Sequence, residues 1–420
     1  MKTACFRIKF WSIRSLLSIF ICFALLRCFL DVPGKSLLYR KQITKGDKSY
    51  QDSDGRIIMN EVKNSLKGQQ KMNNDLYSQF KQDKCSLGLS EVSNHFNPIT
   101  TDWSTWTYQK RLVCPSFDVR NYRFTNQPPV IYIKCETTNW HQRNQIQTIS
   151  HESDCVNSYI KQCCTDKMTV PKIVHYVWYG LKVKFDFYGF LSFISALRFV
   201  RPCLILIHGN ILPQGLYWKF IINIYPNIIH VERLIESNKI FGKKVKHINN
   251  LSDVIRIEAL LKYGGIYLDM DMVLMRDVDL LRQYPCTMSY LRPHFHLGSS
   301  YIMAERNSEF MQKWLDGYKY HYRNDSYSYS AMRYPYMLAT NFTDLIHVEN
   351  ETISRPYSLH GVAIFKHGLR PFDWSKLYGV HLYSRKNEEA LNEMVIRDLN
   401  TTFGAIARHI IFGNKELCSK

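Results

Sequence analysis

Acidic side chains are scarce in this chain: its 420 residues carry 36 Asp and Glu against 55 Lys and Arg, a net charge of +19. An excess of that size attracts nucleic acid, anionic membrane or acidic substrates. No Cys-x-x-Cys pair occurs, so the one cluster that could hold zinc, Cys155, Cys163 and Cys164, lacks the usual ligand spacing and reads better as disulfide-forming. A His-rich or carboxylate-rich ligand set of the two-metal kind is also missing, which argues against a metal-dependent hydrolase. No internal repeat is evident, and no small-x-small cleavage site follows Leu30, where Asp31-Val32-Pro33-Gly34 is a poor candidate.

An uninterrupted apolar run long enough to span a bilayer is lacking too. Leu16 to Leu26 is apolar and extends to Leu30 through Arg27 and Cys28; Phe10 to Leu30 reaches the roughly 20 residues required if Arg14 and Arg27 snorkel towards the interfaces. Lys2, Arg7, Lys9 and Arg14 precede it without a single acid, which favours a cytoplasmic N-terminus. A cleaved signal peptide and an uncleaved anchor compete, and the missing cleavage site favours a single-pass type II membrane protein, which disfavours nucleic acid as the partner of the positive charge.

Residues 1–30 then form a cytoplasmic tail and signal anchor, and 31–84, polar, lysine-rich and poor in aromatics, a flexible stem with at most a short helix near Glu61 to Lys67. Residues 85–169, where cysteines and aromatics return and Pro128-Pro129 precedes a strand over Val130 to Cys135, are a structured stem or a small subdomain. The folded domain occupies 170–420. Of twelve cysteines, nine lie beyond the anchor, so at least one thiol stays free or pairs between chains, the latter giving a disulfide-linked homo-oligomer. Asn250, Asn324, Asn341, Asn350 and Asn400 each begin an Asn-x-Ser/Thr triplet, and Asn250 abuts a helix that would leave it bare.

From Pro171 the texture alternates: strand Lys172 to Trp178, helix Phe187 to Val200, strand Cys203 to His208, helix Leu216 to Ile224, strand Asn227 to Leu234. This rhythm predicts an α/β fold, a Rossmann-like, mostly parallel sheet with helices on both faces and ligands at the carboxyl ends of the strands. The next unit organises the chain. Val254, Ile257, Leu260 and Leu261 recur at helical spacing and the helix halts at Tyr263-Gly264-Gly265. If Ile266 to Leu274 is one extended strand, Tyr267, Asp269, Asp271 and Val273 share a side. Alpha carbons two apart lie roughly 6.6 Å from each other, near enough for Asp269 and Asp271 to grip one cation at about 2.1 Å. Oxygen ligands suit Mg²⁺ or Mn²⁺, which takes the rest of its shell from water and substrate phosphates, and this points to a nucleotide-linked substrate. Beyond it, Thr287 to Leu291, Ser299 to Ala304 and Gly379 to Tyr383 read as strands and Ser308 to Tyr320 as a helix. The tyrosine-crowded stretch 318–337 is either a sugar-stacking surface or ordinary core.

These residues resemble a known family. Asp253-Val254-Ile255-Arg256, followed by Tyr263-Gly264-Gly265-Ile266-Tyr267-Leu268-Asp269-Met270-Asp271, resembles the DXD-containing, sugar-binding-region retaining glycosyltransferases, among them α-1,4-galactosyltransferases, α-1,4-N-acetylglucosaminyltransferases and initiating α-1,6-mannosyltransferases. Pro171 to Gly180 resembles the opening strand of the same domain. The resemblance spans about 170 to 385 and implies a GT-A fold, a nucleotide-sugar donor of the UDP-sugar kind, Mn²⁺ (or Mg²⁺), retention by front-face attack, and a Golgi enzyme acting on a glycan, glycolipid or glycoprotein acceptor. Carried over by position, it implies Asp269 and Asp271 as metal-binding and, with Arg256, catalytic. Asp253 and Arg256 would grip donor hydroxyls, Trp178 would stack on the base, Tyr267 would line the donor site, and His381 would sit near metal and diphosphate. From spacing alone Asp253 and Arg256 also read as an ion pair in the first turn of a helix, and Trp178 as core. Tyr383 stands where the family has Trp, and His296-Leu297-Gly298-Ser299-Ser300 and Tyr334-Pro335 replace its acceptor-side segments. A catalytically silent lectin or scaffold of the same fold is the rival reading.

Overall fold

The computed structural model describes residues 111–114, 117, 119, 139–141, 146–164, 166–179, 184–233, 239–247, 249–292, 295–367, 373–387 and 390–419. The expected anchor, the stem, the helix near Glu61 and the strand after Pro129 lie outside these residues. Among the described residues no helix is long and apolar enough to cross a membrane.

In chain order the strands are β1 (Arg111–Leu112), β2 (Asn139–His141), β3 (Ile146–Ser150), β4 (Ile173–Val177), β5 (Leu204–Gly209), β6 (Ile228–Glu232), β7 (Lys239–Ile240), β8 (Lys243–Lys244), β9 (Gly265–Leu268), β10 (Met272–Leu274), β11 (Cys286–Arg292), β12 (His296–Ala304), β13 (His347–Glu349), β14 (Gly379–His381) and β15 (Leu417–Cys418). The helices are α1 (Val156–Cys163), α2 (Phe187–Phe199), α3 (Leu216–Ile224), α4 (Asn249–Tyr263), α5 (Glu309–His321), α6 (Tyr334–Asn341) and α7 (Thr402–Phe412).

Nine strands form one sheet in the order β13-β11-β12-β9-β4-β5-β6-β3-β2. The run β3, β6, β5, β4, β9 is parallel throughout, and β12 and β2 close it antiparallel on either side. The expected α/β sheet with helices on both faces is therefore present, with a mixed flank. Residues ahead of Pro171 belong to it as well: β3 lies beside β6, and α1 packs Val156 and Ile160 into the cluster that holds Ile173, Leu204 and Leu206.

Helix α2 is buried along nearly its whole length, so it reads apolar all round. Among its buried residues are two serines, and they face backbone that lacks a sheet partner. Ser192 Oγ donates to Met272 O at 2.7 Å, and Leu274 N donates to Ser195 Oγ at 2.9 Å. These bonds fix β10, which leaves the main sheet and, among the described residues, pairs with β14 alone.

Cys155, Cys163 and Cys164 are all disulfide-bonded, Cys164 to Cys203, so none is a thiolate ligand for zinc. Cys114 joins Cys418, fastening the ends of the parallel pair β1–β15. Cys286 is free and buried among the described residues, where another chain cannot reach it.

A polar strut crosses the core. His175 and His208 share a hydrogen bond of 2.9 Å, and His175 Nε2 meets Gly264 O at 2.8 Å. Burial holds the His175 imidazole down to about 4, and the buried His409, bonded to Met275 O, down to about 3. In an unfolded chain both titrate near 6.5. Below that pH the unfolded chain takes up protons that the folded one refuses, so stability is complete above pH 6.5 and falls by about 1.4 kcal/mol per unit for each group as pH drops towards 4. Urea midpoints at pH 7 and pH 5 measure this, and equal midpoints would contradict it. Ser195→Ala leaves the Leu274 N–H without its partner and is expected to cost about 1–3 kcal/mol in the same assay.

Candidate metal and donor site

Helix α4 ends where the sequence predicts, because Gly264 takes φ +66° and Gly265 φ +120°, conformations that side-chained residues avoid. A Cβ on Gly265 would also stand 2.5 Å from Ile173 O, so β9 can approach β4 only without one.

The strand that follows is shorter than the sequence predicts. Instead of one extended run from Ile266 to Leu274, β9 stops at Leu268 and the chain turns over Asp269-Met270-Asp271, with Met272 N donating to Asp269 O at 2.9 Å. The reason is a change of partner. Up to Leu268 the backbone pairs with β12, Asp269 N still donates to Ser300 O, and from Met272 onward the pairing passes to β14. Strand alternation therefore does not explain the convergence of the two carboxylates; the turn does. Carboxylate oxygens of Asp269 and Asp271 and a ring nitrogen of His381 all lie within 4.8 Å of one another.

The register of β14 accounts for His381, which stands opposite Met272, one residue beyond Asp271. Its Nε2 is 3.2 Å from Asp271 Oδ1, while Ser384 donates to Asp271 Oδ2 through both N (2.9 Å) and Oγ (3.1 Å). Burial alone would raise the Asp271 carboxyl, but His381 and Ser384 outweigh it and hold the group well below the usual carboxylate range. Burial likewise disfavours the charged His381, and the neighbouring Asp271 and Asp269 reverse that and raise it.

Asp269 is held from the opposite side. Tyr267 OH donates to its Oδ1 at 2.7 Å, and Arg256 Nη1 lies 3.4 Å from the same atom. Arg256 reaches it along α4, where it also faces Asp253 at 3.4 Å and donates to Ser299 O at 2.5 Å, its guanidinium 4.3 Å from the Tyr267 ring centre. The pair from the helix is buried, Asp253 at 1% and Arg256 at 5% exposure. Burial pushes the Asp253 carboxyl up, against the pull of Arg256, Asn250 and Tyr318. Trp178 sits at the carboxyl end of β4, half-buried beside Phe185.

Several residues here carried no signal in the sequence reading. Tyr318 donates to Asp253 Oδ2 at 2.9 Å from 65 positions away, and no local pattern announces such a contact. Asn250 donates to the same oxygen at 3.1 Å, and its place three residues before Asp253 on a helix would have shown it. It is fully buried, so this triplet cannot carry a glycan in the folded protein, whereas Asn324, Asn341, Asn350 and Asn400 are exposed. Tyr327 lies within electrostatic reach of Asp253, Arg256 and Asp269. Ser384 follows the Val380-His381-Leu382-Tyr383 segment directly.

The donor set fits a divalent cation: two carboxylates and an imidazole converge, and His381 Nδ1 is buried without a hydrogen-bond partner. Ser384→Ala removes one of the two hydrogen bonds that Ser384 donates to Asp271 and is expected to weaken Mn²⁺ binding about tenfold, read by electron paramagnetic resonance of free Mn²⁺. Unchanged affinity would show that the backbone N–H suffices.

Comparison with known proteins agrees with this geometry. Residues 149–287 match the family model described as the glycosyltransferase sugar-binding region containing the DXD motif. The chain is similar to Glucan organizing enzyme 1 of Cryptococcus neoformans var. grubii, 29% identical over 277 residues that cover 57% of this chain and 74% of that protein. Among solved structures it is similar to the PaToxG glycosyltransferase (16% identity, 41% and 68% of the two chains, TM-score 0.30). Another is mouse xyloside xylosyltransferase 1 (11% identity, 51% and 98%, TM-score 0.33). The residues that match this family model include Asp253, Arg256, Asp269 and Asp271, so over 149–287 the chain is similar to the DXD-containing sugar-binding region of glycosyltransferases.

Proposed function

We propose that the protein is a metal-dependent, retaining glycosyltransferase. It moves a hexose or N-acetylhexosamine from a nucleotide sugar, of the UDP-linked kind, to a glycan on lipid or protein, as a type II Golgi membrane enzyme. The observation that carries this reading is the meeting of Asp269, Asp271 and His381 within 4.8 Å, beside Arg256, where the two carboxylates and the arginine fall in the matched residues 149–287 and His381 is brought to them from beyond that match by β14. Asp269, Asp271 and His381 would hold the cation, and the imidazole favours Mn²⁺ over Mg²⁺, which prefers oxygen throughout. A bound divalent ion supplies Lewis-acid stabilisation of the charge that gathers on a departing diphosphate.

The protein's own groups supply the rest. Tyr267 and Arg256 keep Asp269 in one orientation, and Ser384 does the same for Asp271. Arg256 adds a fixed positive charge in a buried setting, where it acts more strongly than in water. Asp253, oriented by Asn250 and Tyr318, offers with Arg256 a pair of groups for sugar hydroxyls, and Trp178 at the end of β4 offers a ring face for the base. No side chain is assigned as a base, because in front-face retention the leaving phosphate takes the acceptor proton. A pair of carboxylates placed across a scissile bond, as glycosidases require, is not what this turn presents.

The test is Mn²⁺-dependent hydrolysis of nucleotide sugars by the full chain, beginning with UDP-Glc because the Cryptococcus relative's name refers to glucan, then UDP-Gal, UDP-GlcNAc and GDP-Man. Asp271→Asn is expected to reduce turnover by at least about a hundredfold, and a chelator to abolish it. No turnover with any donor, with wild type and Asp271→Asn indistinguishable, would leave a catalytically silent lectin or scaffold of the same fold.

A further inference from the structure

The hairpin β7–β8, directly ahead of α4, has a feature that the donor site does not use. Its register pairs Lys239 with Lys244 and Ile240 with Lys243, so the turn is the two-residue segment Phe241-Gly242. Both turn residues have positive φ, +46° for Phe241 and +79° for Gly242. A two-residue turn of this hand accepts Asn or Gly at its first position without strain, whereas a bulky ring there is an outlier. The ring belongs to no hydrophobic cluster among the described residues: Phe241 is 42% exposed and stands outside the cluster that buries its neighbour Ile240.

Inward of the tip the hairpin is well anchored, with Ile240 and Val245 buried in the cluster that contains Leu251 and Tyr318. Outward it is basic. Lys239, Lys243 and Lys244 are exposed around the tip, and the last turn of α5 adds exposed Lys319 and Tyr320, with Lys243 Nζ donating to Tyr320 O at 3.1 Å and Lys319 lying over the Tyr320 ring. Among the described residues none of these four lysines has a carboxylate within ion-pair distance. Local strain kept without a packing return is a mark of function.

We propose that this hairpin docks the protein onto an anionic lipid surface, with Phe241 entering the headgroup layer and the lysines facing lipid phosphate and carboxylate groups. Charge complementarity selects an anionic partner, since each lysine near such a surface is attracted and, among the described residues, no carboxylate pairs with it. Shape selects a membrane over a polyanionic chain. A strand of acidic sugar is gripped in a groove, whereas this tip is an exposed two-residue turn that carries a ring, the form that inserts into a planar interface. The inference does not depend on which sugar is transferred.

The experiment is hydrogen exchange on the full chain, following residues 239–246, with vesicles of phosphatidylcholine alone or with added phosphatidylserine, and separately with heparin as a soluble polyanion. Protection of the hairpin is expected with the anionic vesicles only, and to be lost at high salt. Replacing Lys243 or Lys244 with Gln should weaken vesicle affinity about fivefold each, the share of one lysine near an anionic surface. Phe241→Asn separates docking from folding: it relieves the turn, so it should unfold at the same or higher temperature while losing the protection. Equal exchange in both vesicle types would overturn the proposal. So would protection by heparin without protection by lipid, or an undiminished Phe241→Asn.

Discussion

Two carboxylates one residue apart, set in an apolar stretch, repel each other unless positive charge or hydrogen-bond donors reach each of them, and the site is built around meeting that condition. Asp269 is served from the N-terminal side, by Arg256 on the preceding helix and by the hydroxyl of Tyr267. Asp271 is served from the C-terminal side, by His381 and Ser384 more than a hundred residues on. Because the two sets of partners come from different directions, the oxygens of the pair are aimed and not merely neutralised.

The scaffold supports that division. Gly264 and Gly265 let α4 run without a spacer into β9, so Arg256 and Asp269 meet although they belong to different elements. Ser300 on β12 receives the Asp269 amide, the last sheet-like contact before the chain turns. Beyond the turn Ser192 and Ser195 replace the strand partners that β10 has left behind, which is why two hydroxyls are tolerated inside an otherwise apolar helix.

Periodicity and breakers made much of this legible. The stop of α4 was readable from Tyr263-Gly264-Gly265, and the strands on either side of α2 and α3 from their apolar runs and flanking Gly and Pro. The break between β9 and β10 was not, because Leu268, Met270 and Met272 keep alternating with Tyr267, Asp269 and Asp271 straight through it. A change of hydrogen-bond partner leaves no trace in such a pattern. The bond from Tyr318 to Asp253 was hidden for a different reason, since side-chain contacts across 65 positions are set by how α5 lies on α4. His381 was found through a resemblance, and its register against Met272 explains in physical terms why that segment belongs at the site.

The pairing of β10 with β14 also orders events during folding. Among the described residues, the strand that continues from the acidic turn finds its ladder in a segment made about a hundred residues later, so the parallel sheet can assemble while the cation-binding cluster is still incomplete. Until that late strand arrives, Asp271 lacks both His381 and Ser384 and has nothing to hold its charge. Competence to bind an ion thus depends on chain that follows the sheet, and is absent until β14 has docked on β10.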